Sequence, residues 1–507
     1  MILFRSRISH LSLLVIGLAL ALAPAAVAAV KLPSILSDHA VLQRELPIHV
    51  WGWADPSESV TVTFHDQHRP AIADRLGHWE VYFAPEHAGG PYELRVVAAN
   101  TIVVSDILIG DVWLASGQSN MEMPLEGFPG QAVVKNAAQE IAGADRPNIR
   151  LLLIEHKASN YPLPDQPATW TLCTPATATK FSAVAYLFGR EIQQREHVPV
   201  GLIDSTWGGS PAEAWISLDA ISADAALMPV FAVWSAHADS YEDLPAVVKA
   251  EERETAAAKL AGRPAPKFDW HPNLDSHRPA ALFNAMIAPT TPFGIRGVIW
   301  YQGETNSSPD RNRLYQRVFS TVITDWRSQW QQGNFPFLFV QISSWDAHSD
   351  GAWGTLRDQQ RRTLDLANTA MAVSLDVGDA ENIHPSDKQT VAARLALAAR
   401  ALAYGENIEY SGPLFRQAAV EGAGMRVWFT HTAGKLVSKP ATLAGFEIAG
   451  DDHKFVPATA RIEGDTVVAS SPQVAQPRYV RYAWADVPDA TLFNAAGLPA
   501  STFTSEY

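Results

Sequence analysis

Between residues 31 and 104 apolar and polar residues alternate with a period of two. Residues 48–53, 60–64, 79–83 and 92–97 all carry the alternation, and Asp55-Pro56-Ser57, Gly77 and Gly89-Gly90-Pro91 separate them. Successive side chains of a strand point to opposite faces, so this period marks half-buried strands. Short strands at this spacing predict a small β-sandwich over residues 30–105.

The period changes from about residue 106 to residue 405. Apolar runs at 111–115, 200–204, 297–301, 337–342 and 371–375 read as buried strands, and helical spacing separates them: Val184, Leu187, Phe188 and Ile192, then residues 311–330, then 392–403. Strands alternating with helices predict a mostly parallel sheet covered on both faces. Residues 224–276 break the rhythm with a polar, proline-punctuated helical pattern, read as an insertion. Strand signals return at 425–429, 466–469 and 479–484, which predicts a second β module over 406–507.

The first thirty residues change the picture of location. Arg5 and Arg7 precede an apolar stretch from Leu11 to Leu22, and Ala26-Val27-Ala28 forms a small-x-small site. This reads as a secretory signal peptide over residues 1–29, cut after Ala28 or Ala29, and places the mature protein in a bacterial periplasm or medium. A membrane anchor is the weaker reading, because the stretch is short and Pro24 interrupts it. The net charge of −14 and the lack of a Lys/Arg run argue against nucleic-acid binding by phosphate neutralisation. A single cysteine, Cys173, excludes an intramolecular disulfide framework and a multi-thiolate zinc site. The 16 tryptophans are many for 507 residues, a surplus also expected of a chain that stacks on sugars.

Candidate chemistry collects at the strand ends of the middle region, where open α/β sheets bind ligands. Four segments fall there: Gly117-Gln118-Ser119-Asn120-Met121, Thr206-Trp207-Gly208-Gly209-Ser210, Trp300-Tyr301-Gln302-Gly303-Glu304-Thr305-Asn306, and Asp376 to Pro385 with His384 just before a helix that Pro385 opens. Taken singly, each could be an ordinary turn. Together they supply a hydroxyl nucleophile, close-approaching backbone amides, a buried amide cluster and a histidine with acids nearby.

These motifs resemble the signatures of the sialate O-acetylesterase family within the SGNH hydrolases. Val41-Leu42-Gln43-Arg44, Val50-Trp51-Gly52-Trp53-Ala54, Gly110-Asp111-Val112-Trp113 and Leu282-Phe283-Asn284-Ala285-Met286 extend the resemblance over the mature chain. The resemblance implies a flavodoxin-like hydrolase domain flanked by two β modules, and a serine esterase that removes acetyl groups from sugar hydroxyls without metal or organic cofactor. It makes Ser119 the nucleophile and His384 the base. It places Ser119, Gly208 or Gly209, and the Gln302 side chain in the oxyanion hole. The family's acid lies three residues before the histidine; here that is Glu381 rather than Asp, with Asp379, Asp376 or a backbone carbonyl as alternatives. Asn306 does not complete the usual Gly-x-Asn-Asp block. The implied partner is an O-acetylated carbohydrate, with 9-O-acetyl sialate the first reading and acetylated xylan or another plant polysaccharide the alternative. A sugar-binding module with a lapsed site is the third. Oligomeric state is not legible in the sequence.

Overall fold

The computed structural model describes residues 29–268 and 271–506; the expected signal peptide lies outside the described residues, apart from Ala29. The hydrolase sheet runs, in spatial order, Thr369–Val373, Phe337–Gln341, Gly297–Tyr301, Thr101–Gly117, Val200–Thr206, Arg146–Leu153 and Trp170–Cys173. Each neighbour is parallel except the last, which is antiparallel to Arg146–Leu153. The strands at residues 146–153 and 170–173 carry no clean alternation and were not expected from the sequence.

Helices cover both faces. Trp300 and Tyr301 are adjacent on one strand and so point to opposite sides. Trp300 stacks on Phe319 of helix Tyr315–Trp330, while Lys388 of helix Lys388–Leu402 lies over the Tyr301 ring. Burial on both sides explains why these strands read as continuous apolar runs. The helix after His384 begins at Lys388, not at Pro385: Asp387 is its N-cap and accepts from the Thr390 N–H.

The expected boundary near residue 105 falls inside one strand. Thr101–Gly117 spans 17 residues, pairs at its start with Gly89–Val97 of the N-terminal module, and is buried from Ile107 to Gly117 as the centre of the hydrolase sheet. Val41–Gln43 pairs with the same strand at Leu108–Gly110. The N-terminal module and hydrolase sheet therefore share a backbone ladder. The rest of that module is antiparallel: Ser59–Phe64 with Gln67–Ile72 and Gly89–Val97, and Ile48–Trp53 with His78–Phe83.

Helices Pro229–Asp239 and Leu244–Leu260 occupy the expected insertion. The C-terminal strands form small antiparallel sheets, one ordered Leu414–Glu421, Gly424–Thr430, Thr466–Ser470, Thr459–Glu463. They dock on helix Ala352–Arg362, where the buried Arg357 donates to the carbonyls of Ala485 and Asp486. No helix among the described residues is long and apolar enough to cross a membrane.

Candidate active site

The central strand ends at Gly117, whose φ is +132° and whose added Cβ would lie 2.2 Å from the Tyr301 carbonyl oxygen. Only glycine tolerates both the angle and the approach. The chain then turns into the short helix Ser119–Glu122. The Gln118 N–H donates to the Tyr301 carbonyl at 3.0 Å, and Gln118 Oε1 accepts from the Gly303 and Thr305 N–H groups, both at 3.2 Å. Two sheet-end loops are thereby tied together.

His384 arrives from the loop beyond the edge strand Thr369–Val373. Its Nε2 lies 2.8 Å from Ser119 Oγ. Asn120, next to Ser119, holds this pair in register: its Nδ2 donates to the Ile383 carbonyl at 2.9 Å and to Glu304 Oε1 at 2.6 Å. Its Oδ1 accepts from Lys388 Nζ at 2.5 Å. Asn120, Glu304 and Lys388 are all buried. Burial raises the Glu304 carboxyl and lowers the Lys388 ammonium to about 7, each being opposed by the charge of the other. Burial, and then the Lys388 charge, push the His384 imidazole down to about 4, with Glu122 pulling the other way. The imidazole is therefore neutral at pH 7, as a proton acceptor must be.

The partner of the other ring nitrogen differs from the sequence expectation. His384 Nδ1 lies 2.6 Å from Gln131 Oε1, and no expected acid occupies that place. Glu381 is exposed, and its backbone N–H donates to Asp379 Oδ1, so the turn folds on itself rather than returning the Glu381 carboxylate to the ring. Asp376 is held by Arg394 through two hydrogen bonds of 2.6 and 2.7 Å. Gln131 sits in the irregular segment between helices Ser119–Glu122 and Ala137–Ala142, which carries no sequence motif. Only tertiary folding brings it, together with the Phe128 ring, to the imidazole.

Gln302 is also placed differently from its expectation. The side chain is fully buried and must find all its partners internally. Its amide donates to the Ser210 carbonyl at 3.2 Å and to Asn306 Oδ1 at 2.6 Å, while Oε1 accepts from the Tyr315 hydroxyl at 2.8 Å. Both amide hydrogens are spent, so neither is left for an oxyanion. Asn306 belongs to the same network, accepting from the Ala212 N–H and donating to Glu213. The Gly208 N–H donates to the Glu122 carboxylate. Gly208 does approach Ser119: a Cβ there would lie 3.3 Å from Ser119 Cβ. Among the described residues the backbone N–H groups of Ser119 and Gly209 donate to no protein acceptor.

Beside Glu122 stands a ring pair made of Trp207, from the Thr206–Ser210 segment, and His156, which the sequence did not single out. The His156 and Trp207 rings stack with centroids 4.5 Å apart and an angle of 7° between their planes. His156 Nε2 lies 3.3 Å from Glu122. Burial would lower the His156 imidazole, but the Glu122 hydrogen bond and charge hold it above its ordinary value.

The family profile described as "Carbohydrate esterase, sialic acid-specific acetylesterase" matches residues 267–403. The chain is 30% identical to the sialate O-acetylesterase of Rattus norvegicus, over 94% of each chain. It is 32% identical to that of Mus musculus, over 76% of this chain and 75% of the other. A solved carbohydrate acetylesterase from Xanthomonas citri superposes with a TM-score of 0.81 at 36% identity, covering 94% of this chain and all of that one. The chain belongs to the sialate O-acetylesterase family of carbohydrate acetylesterases.

Proposed function

We propose that the protein is an exported serine esterase that removes O-acetyl groups from sugars, with Ser119 as nucleophile and His384 as general base. The 2.8 Å contact between Ser119 Oγ and His384 Nε2, beyond the carboxyl end of the central strand, carries the proposal. Gln131 Oε1 accepts from Nδ1–H, which leaves the Nε2 lone pair facing the hydroxyl. His384 takes the Ser119 proton, and the oxygen attacks the acetyl carbonyl. The Ser119 and Gly209 N–H groups hold the oxyanion. His384 returns the proton to the departing sugar oxygen, and water then hydrolyses the acetyl-enzyme. Asn120 positions the two loops, and the Trp207–His156 stack forms a wall for the sugar.

9-O-Acetyl sialate is the substrate we infer, since the mammalian relatives are named sialate O-acetylesterases. Acetylated plant polysaccharide is the second reading, since the Xanthomonas citri protein is a carbohydrate acetylesterase whose name specifies no sialate. Export rests on the N-terminal segment, and the mass of the mature protein checks cleavage after Ala28 or Ala29. Turnover of p-nitrophenyl acetate tests the chemistry: Ser119→Ala should lower it by about 10⁶-fold while thermal unfolding changes little. A Ser119→Ala protein with near wild-type turnover removes the proposal. Acetate release from 9-O-acetyl sialic acid against acetylated xylo-oligosaccharides decides between the substrates.

A further inference from the structure

Away from Ser119, the N-terminal module carries an open cavity of about 580 Å³. This lies within the range of about 300–1,000 Å³ found for small-ligand sites. Its floor is the outward face of a two-stranded ribbon, Ile48–Trp53 paired with His78–Phe83. Strand alternation sorts that ribbon. Ile48 and Val50 point inward, whereas His49, Trp51 and Trp53 are partly open; His78, Glu80 and Tyr82 are exposed, between buried neighbours. The register sets the outward residues directly opposite one another: His49 with Tyr82, Trp51 with Glu80, and Trp53 with His78. All of these but Tyr82 line the cavity, giving it two indoles, two imidazoles and a carboxylate.

Trp51 packs partly against the module core, whereas Trp53 stands on the same face without joining it. His49 stacks on Tyr82 (centroids 4.3 Å apart) and on Trp51 (4.9 Å), which braces the row. Trp53 meets His78 only edge-on, at 6.4 Å and 73°. Trp51 and Trp53 both line the cavity and offer it two indoles from the same face of the ribbon. Pro164 and Pro292 of the hydrolase domain close one side, and Asp74 lines the cavity beside Glu80 and His78.

We propose that this cavity is a carbohydrate-binding site, separate from the esterase site, that takes one or two residues of a neutral pyranose glycan. His49 Nε2 is already paired with Glu80 at 2.9 Å; indole faces suit the C–H faces of a pyranose, and the Glu80 and Asp74 carboxylates and the His78 imidazole can accept from and donate to neighbouring hydroxyls. Glu80 and Asp74 oppose an anionic sugar, as does the net charge of −14. Under the second substrate reading, acetylated plant polysaccharide, the site would retain the chain on a neutral polymer while Ser119 works on acetyl groups elsewhere along it. The inference does not depend on the proposed catalytic residues, because its readout is binding.

The test is titration calorimetry of the full mature chain with unacetylated xylohexaose and cellohexaose, neither of which is an ester. N-Acetylneuraminic acid and a proline-rich peptide serve as competing probes, and p-nitrophenyl acetate turnover of the wild type is measured separately as the check on esterase chemistry. At least one neutral hexasaccharide should bind more tightly than either competing probe. Trp53→Ala should weaken that binding by about tenfold or more, the effect of losing one aromatic anchor. Trp53→Phe should recover part of it. Glu80→Gln, at an exposed side chain, should weaken it without lowering the thermal midpoint, and this variant decides the matter if Trp53→Ala does not fold. Absence of binding to both hexasaccharides at millimolar concentration overturns the proposal. So does binding unchanged in Trp53→Ala and Glu80→Gln, or tighter binding of the sialic acid or the peptide.

Discussion

At the scale of residues, the site departs from a carboxylate-assisted triad at its third member. A neutral Gln131 accepts from the imidazole where a carboxylate would stabilise the imidazolium. With His384 lowered to about 4 by burial and then by the Lys388 charge, the base stays neutral above that pH. The acid limb of kcat/KM should therefore fall near pH 4, with activity lost only as His384 gains a proton below it. Gln131→Glu places an opposite charge beside the ring, so it should move the limb up by about one unit or more. An unmoved limb in that variant would show that Gln131 does not face the titrating group. Glu381→Gln should change kcat/KM less than Gln131→Ala does, because the Glu381 side chain faces solvent. Gln302 predicts the opposite kind of effect. Truncation to Ala strands the Tyr315 hydroxyl, the Ser210 carbonyl and Asn306 in a buried network. Gln302→Ala should destabilise the fold by about 1–3 kcal/mol and leave kcat of the folded protein within a few-fold of wild type. A 10²-fold fall in kcat with an unchanged thermal midpoint would restore Gln302 to the oxyanion hole.

At the scale of elements, the strand Thr101–Gly117 does two jobs. Its first half pairs with the N-terminal module, and its second half is the centre of the hydrolase sheet and delivers Ser119. Backbone pairing in a buried ladder cannot be removed without leaving amides unsatisfied. A chain starting at residue 106 loses the Val41–Gln43 pairing at Leu108–Gly110, and also the Gln43 side chain that accepts from the Val112 N–H. That truncated chain should be insoluble or lack a cooperative thermal transition. A soluble, active product would mean that the hydrolase sheet stands alone. Most elements were legible because burial on one face or both leaves a periodic trace, as at residues 48–53 and 297–301. The strands at 146–153 and 170–173 left none: they lie towards one side of the sheet and mix Arg, Asn and Thr with apolar residues.

At the scale of the whole molecule, the C-terminal module is bound through polar groups at its junction with the hydrolase. Arg357 is fully buried, and burial lowers its guanidinium to about 9, so it remains charged at neutral pH. It donates to the carbonyls of Ile342 and Ser343 in the hydrolase and of Ala485 and Asp486 in the module. Arg357→Leu leaves these carbonyls short of a donor, at a cost of at least about 3 kcal/mol. The thermal midpoint should fall by roughly 3 °C or more, and a midpoint within a degree of wild type would mean that other contacts hold the module.

The sequence by itself determined the class of fold, the strand ends where the candidate site collects, and the membership of its serine and histidine motifs in one family. These are local or periodic properties: a run of apolar residues reports burial, and a glycine beside a serine reports a turn. Tertiary structure alone decided which group faces His384 Nδ1, which amides remain free, and which partners the Gln302 side chain takes. Those outcomes depend on partners up to 253 residues away in the chain. A buried polar group takes whichever partner the packed fold brings within reach, and no spacing along the chain encodes that distance.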